Sequence, residues 1–154
     1  RPLSPEALAC VIGSASTRTD DAPFALLAAT GCRLGESLAL DVADFDPVAG
    51  TVSITKTYSA RHGVRRPKSD NGVRTLRVPA PALPAIVSAV GSRKSGALFT
   101  SGGGRRRQHS TLQRRWRGFL AAAGIGGGNT VAGAMAASFI SRRTPCQRQS
   151  RLKR

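Results

Sequence analysis

The chain has 154 residues, of which 40% are hydrophobic and 5% aromatic, so its length suits one domain with a core built mostly from Leu, Val, Ile and Ala. Its 24 Lys and Arg against 8 Asp and Glu leave a net charge of +16, and 20 of the 24 cations are Arg. All eight acids lie in the first 70 residues, the remaining 84 carry 16 cations and no acid, and this asymmetry points to a polyanionic partner.

No run of roughly 18 apolar residues crosses a membrane and no secretory signal opens the chain. Cys10, Cys32 and Cys146 form no close-spaced pair, which argues against a disulfide framework or a zinc site and fits a reducing cytoplasm. The chain begins with Arg1 and enters a helix almost at once, so its start is expected to be a cut.

Taken in chain order, Ser4-Pro5-Glu6 reads as an N-cap, a first-turn proline and a first-turn acid opening a helix through Leu8, Val11 and Ile12, which Gly13 ends. Asp21 is expected to cap a second helix carrying Phe24, Leu27 and Ala28 up to Gly31. A third, short helix places Leu34 and Leu38 one turn apart. After a turn at 46–50, residues 51–58 are β-branched and alternate as a strand does. Residues 64–68 and 73–79 are two more extended segments flanking Ser69-Asp70-Asn71-Gly72, a tight hairpin turn. Three antiparallel strands are therefore expected.

Residues 82–90 predict a further helix and 97–100 a short buried element. A last helix is expected to open at Ser110 with Gln113 completing a capping box, to bury Leu112, Trp116, Phe119 and Leu120 along one stripe, and to stop at Gly124. Helices, a small sheet, then helices make the class α+β, with a mainly helical body and a three-stranded antiparallel sheet.

Within this order, Thr30-Gly31-Cys32-Arg33-Leu34-Gly35-Glu36 places an arginine between a helix stop and a helix start, with a carboxylate three residues on that could hold its guanidinium. Such a fork suits bidentate recognition of an anion, although an Arg at a helix junction is also a common surface ion pair. Lys68 stands beside the Asn71-Gly72 hairpin. Arg105, Arg106, Arg107, Arg114, Arg115 and Arg117 form a cluster suited to phosphate contacts.

Taken together, these features resemble the catalytic domain of the tyrosine recombinases, the phage-integrase family. The residues that carry the resemblance run from 1 to 125: the Thr-Gly-x-Arg-x-Gly-Glu motif, the Asp41 to Asp46 lead into a strand, the sheet with its hairpin lysine, and the late helix ending Ala122-Ala123-Gly124-Ile125. The resemblance implies that Arg33 clamps a scissile phosphate, that Glu36 supports it and that Lys68 protonates the leaving 5′ oxygen. It implies duplex DNA as partner and neither metal nor other cofactor, because cationic side chains stabilise the developing charge. Family members assemble as tetramers on DNA, whereas this fragment is expected to be monomeric.

The same resemblance marks what is missing. Members carry a His-x-x-Arg box after the late helix, a later His or Trp, and a nucleophilic Tyr near the C-terminus, and residues 126–154 show none of these. Tyr58, the only tyrosine, falls on the first strand ahead of Lys68, and His62 and His109 are also out of place and read as solvated. The nucleophile is therefore none of these residues.

Residues 126–154 read as a basic tail, disordered or translated out of frame. With suitable codons, a frame starting one base before Asn129 gives His across Asn129 and Thr130, and then Arg, Arg and His across Ala132 to Met135: a His-x-x-Arg-Arg-His run. The expectation is a DNA-binding but catalytically incomplete recombinase fragment. A small Arg-rich nucleic-acid-binding module without catalysis and a non-functional remnant stand as alternatives.

Overall fold

The computed structural model describes residues 3–66 and 72–125. Lys68, most of the 69–72 turn and the tail from 126 onward lie outside them.

Helix α1 (Pro5–Ala15) begins where Ser4 Oγ accepts the Ala7 amide at 3.2 Å, and it buries Leu8, Val11 and Ala15. A 3-10 turn over Thr19–Asp21 leads into α2 (Ala22–Thr30). Almost all of α2 is apolar and buried, because it runs through the middle of the domain, against α1 on one side and α4 (Leu83–Val90) on another. Asp21 holds the N-cap position of α2, but its side chain makes no capping bond and turns instead to Arg115. Gly31 closes α2 in the left-handed conformation at φ 68°, where its amide donates to the Leu27 carbonyl, and α3 (Leu34–Ala39) starts within three residues.

A three-stranded antiparallel sheet is present, but its membership differs from the expected one. Its order is β1 (Phe45–Asp46), β2 (Thr51–Ile54), β5 (Arg74–Arg77), with Val52 facing Phe45 on one side and Leu76 on the other. Asp46 Oδ1 accepts the amides of Val48 and Ala49, which shapes the turn between β1 and β2.

The extended stretch 51–58 is divided rather than continuous. After Ile54 the chain leaves the sheet, and Lys56 Nζ is drawn between Asp41 Oδ2 at 2.5 Å and Asp44 Oδ2 at 3.0 Å. Then β3 (Thr57–Ser59) pairs with β4 (Gly63–Arg65) as a separate two-stranded ribbon lying against α3. The segment expected to be the middle strand therefore belongs to this ribbon, and a two-residue strand takes the sheet's third place.

Helix α5 (His109–Ala122) buries Leu112, Trp116, Phe119 and Leu120, the expected stripe. Its start is corrected: Gln108 is the N-cap and makes no side-chain capping bond, and Ser110 lies inside the first turn. The Gln108 carboxamide oxygen is engaged by the Tyr58 hydroxyl, which donates to it at 2.8 Å. Phe24 of α2 meets Trp116 and Phe119 at ring-centroid distances of 5.0 Å each, and this aromatic group joins α5 to the central helix. The 97–100 segment buries Leu98 and Phe99 and is tied to the chain after α3 by Leu98 N to Leu40 O at 2.8 Å. Among the described residues, no helix is long and apolar enough to cross a membrane.

Candidate anion site at the start of helix α3

The site is built from the junction between α2 and α3. Thr30 Oγ1 donates to the Leu26 carbonyl at 2.7 Å and accepts the Cys32 amide at 3.3 Å, which fixes the turn after Gly31. Arg33 then occupies the N-cap of α3 with extended backbone, φ −73° and ψ 149°. Its amide donates to Glu36 Oε2 at 2.8 Å, so Glu36 at the third helical position supplies one half of a capping box.

Position 35 in the motif favours glycine for a steric reason. A Cβ there would lie 2.8 Å from the Tyr58 carbonyl oxygen and 2.9 Å from Thr57 Oγ1. The first turn of α3 is thus pressed directly onto β3, and this close approach sets where Arg33 and Glu36 stand.

Glu36 is buried, its side chain only 5% exposed. Its principal cationic partner is not Arg33 but Arg74 on β5. Arg74 Nη1 donates to Oε1 at 3.1 Å and Nη2 to Oε2 at 2.7 Å, a bidentate pair that crosses from the sheet to α3. Arg33 Nη1 is 3.8 Å from Oε1, and its side chain is 85% exposed. Burial pushes the Glu36 carboxyl up. The Arg74 hydrogen bonds, the Arg33 amide and the two positive charges outweigh that effect and hold it below its ordinary value of 4.5. Two guanidinium groups against one carboxylate leave an excess of positive charge, and it is Arg33 that presents it to solvent.

Cys32, beside Arg33, is not a reactive thiol. Burial pushes its pKa up to about 11, so at neutral pH it is protonated. Tyr58 sits on β3 with its hydroxyl committed to Gln108. His62 is exposed in the turn of the ribbon, and His109 is half-buried at the start of α5.

The clustered arginines divide into two groups. Arg106 donates to the carbonyls of Leu38 at 2.7 Å and Leu40 at 3.0 Å and pairs with Asp41, which clamps the end of α3. Arg107 is buried, donating to the Thr100 carbonyl at 2.8 Å and pairing with Asp20. Arg115 Nε donates to Asp21 Oδ1 at 2.6 Å. Arg105, Arg114 and Arg117 are exposed. The structure therefore brings together Arg33, Glu36 and Arg74 and leaves the place of Lys68 outside the described residues. Sequence reasoning missed Arg74, because nothing local marks a partner 38 residues beyond Glu36; only the register of β5 on β2 brings the two together.

No family model and no curated protein matches this sequence. Solved structures do. The Tn1549 transposon integrase, in complex with circular intermediate DNA, superposes with a TM-score of 0.74 at 17% identity over 92% of this chain and 53% of its own. XerA recombinase superposes with a TM-score of 0.72 at 25% identity over 94% of this chain and 50% of its own. The chain spans about half the length of these structures. By this likeness, the chain has the fold of a partial tyrosine recombinase domain.

Proposed function

We propose that the chain is a DNA-binding fragment of a site-specific tyrosine recombinase, with Arg33 as a clamp for a backbone phosphate. The observation that carries this reading is the division of labour at Glu36: the buried carboxylate is taken by Arg74, and Arg33 stands at a helix start with its guanidinium in solvent. In this reading Glu36 supports Arg33, and Lys68 is the acid that serves the leaving 5′ oxygen. Arg105, Arg114 and Arg117 add exposed phosphate contacts; Arg106, Arg107 and Arg115 can add to them only where their internal partners spare a donor. The partner is duplex DNA, the fragment acts as a monomer in the cytoplasm, and neither metal nor other cofactor takes part.

The reaction of the family passes through a 3′-phosphotyrosyl intermediate, and the single tyrosine of these 154 residues is Tyr58, whose hydroxyl is engaged by Gln108. The fragment therefore binds without cleaving. Residues 1–125 form the partial catalytic domain, and residues 126–154 are read as an out-of-frame tail. The nucleotide sequence of the gene tests that last point: the alternative frame must hold the His-x-x-Arg box and no stop across codons 129 to 154.

Binding is tested by titrating a labelled duplex at about 50 mM salt and above. The chain should bind, and Arg33→Ala should reduce the steepness of the salt dependence by about 0.9, the share of one phosphate contact. Absence of binding at low salt would refute the reading.

A further inference from the structure

We propose that Arg74 is a positioning residue of the Arg33 site, and that it acts by occupying Glu36 so that Glu36 cannot neutralise Arg33. The inference rests on the reading of Arg33 as a phosphate ligand and adds to it a residue that the motif around Arg33 does not contain.

The geometry carries it. Both Glu36 oxygens are within hydrogen-bond distance of Arg74, at 3.1 and 2.7 Å, and Oε2 also accepts the Arg33 amide at 2.8 Å. The Arg33 guanidinium is already in ion-pair range of Oε1 at 3.8 Å, and a small rotation would make the pair hydrogen-bonded. What prevents it from being the stronger pair is that Oε1 is already held. Arg74 is itself fixed, since Nη1 also donates to the Gly72 carbonyl at 3.3 Å and its backbone lies in β5 opposite Ile54. Glu36 is buried and must keep a cationic partner, because an unpaired carboxylate there is strongly disfavoured. With Arg74 removed, the nearest cation among the described residues is Arg33. It would turn inward, and the site would lose its exposed charge while the fold remained.

This differs from a purely structural bridge between β5 and α3 in one respect: the damage done by losing Arg74 should require the Glu36 carboxylate. The experiment uses the 154-residue chain, a short duplex DNA as probe and five variants. Arg74→Gln should weaken binding about tenfold and lower the salt slope by about 0.9, as Arg33→Ala does, and adding Arg33→Ala to it should cost nothing more. The double variant Glu36→Gln with Arg74→Gln should regain most of the affinity, because a neutral carboxamide does not capture Arg33. Should Arg74→Gln fail to fold by circular dichroism, Arg74→Lys keeps a cation on Glu36 and should bind within about threefold of the parent.

Wild-type affinity in Arg74→Gln, or a double variant as weak as Arg74→Gln alone, would overturn the inference, as would an Arg74→Lys chain as weak as Arg33→Ala. Those results leave the phosphate site standing, provided that Arg33→Ala weakens binding. An Arg33→Ala chain that binds like the parent would instead overturn the site itself, and this inference with it.

Discussion

At the scale of single residues, Glu36 joins the site to the stability of the domain. Its carboxyl is held below its ordinary value, as is that of Asp41, where burial acts upward and the bonds from Lys56 and Arg106 act downward more strongly. A carboxyl with a depressed folded value contributes stability above its unfolded pKa, near 4, and that contribution is lost as the pH falls through the lower folded value. Glu36→Gln should therefore lower the thermal midpoint at pH 7, while the gap between variant and parent narrows as the pH is taken below about 4. Thermal unfolding followed across that range checks it, and a gap of constant size would mean that the charge of Glu36 does not matter to folding. The arginines allow a second comparison. Arg106→Ala should cost about 1–3 kcal/mol of stability, because it removes a part-buried donor shared by the Leu38 and Leu40 carbonyls and Asp41. Arg114→Ala and Arg117→Ala, both on the exposed face of α5, should leave unfolding within about 0.5 kcal/mol and weaken DNA binding instead.

At the scale of elements, two glycines make opposite predictions. Gly35 is pressed against the Tyr58 carbonyl, which is backbone and cannot yield without moving β3. Gly35→Ala should thus destabilise by about 1–3 kcal/mol. Gly118 lies within α5 with nothing closer than 4 Å to an added Cβ, so Gly118→Ala should stabilise by about 0.5–1 kcal/mol through helix propensity alone. Chemical denaturation of the two variants checks both signs.

These elements also show what the sequence made legible. The five helices could be read from apolar spacing and a few local signals: Ser4 and Gly31 act where they stand, whereas α1 runs past the expected stop at Gly13 to Ala15 and Asp21 makes no capping bond. The pair Arg33 and Glu36 was visible for the same reason, three residues apart on one helix start. The sheet was not. A strand as short as Phe45–Asp46 carries no alternation to detect, and the break after Ile54 depends on Lys56 reaching acids more than ten residues earlier. Arg74 was hidden likewise, because its role is set by strand pairing. Gln108 displaces Ser110 as the N-cap of α5, since the helix already begins at His109.

At the scale of the whole molecule, the uneven charge has a structural use. Asp20, Asp21, Glu36, Asp41 and Asp44 are each paired with a specific cation, and Arg74, Arg106, Arg107 and Arg115 from the acid-free part of the chain are among those cations. The few acids serve to join the two parts of the domain, and they neutralise few of the other arginines. Arg33, Arg105, Arg114 and Arg117 are left to face solvent. A domain so arranged carries its surplus positive charge outward, as the proposed binding of a polyanion requires.

The central claim is that Arg33 is a phosphate ligand on the DNA-facing side of this domain. It is tested most directly by a crystal structure of the chain with a short duplex. The account predicts a backbone phosphate about 3 Å from the Arg33 guanidinium. Arg74 should still hold Glu36, and the Lys68 ammonium should lie on the same concave face within about 10–12 Å of Arg33, close enough for one phosphodiester to touch both. DNA bound across another face, with Arg33 left in solvent, would contradict it.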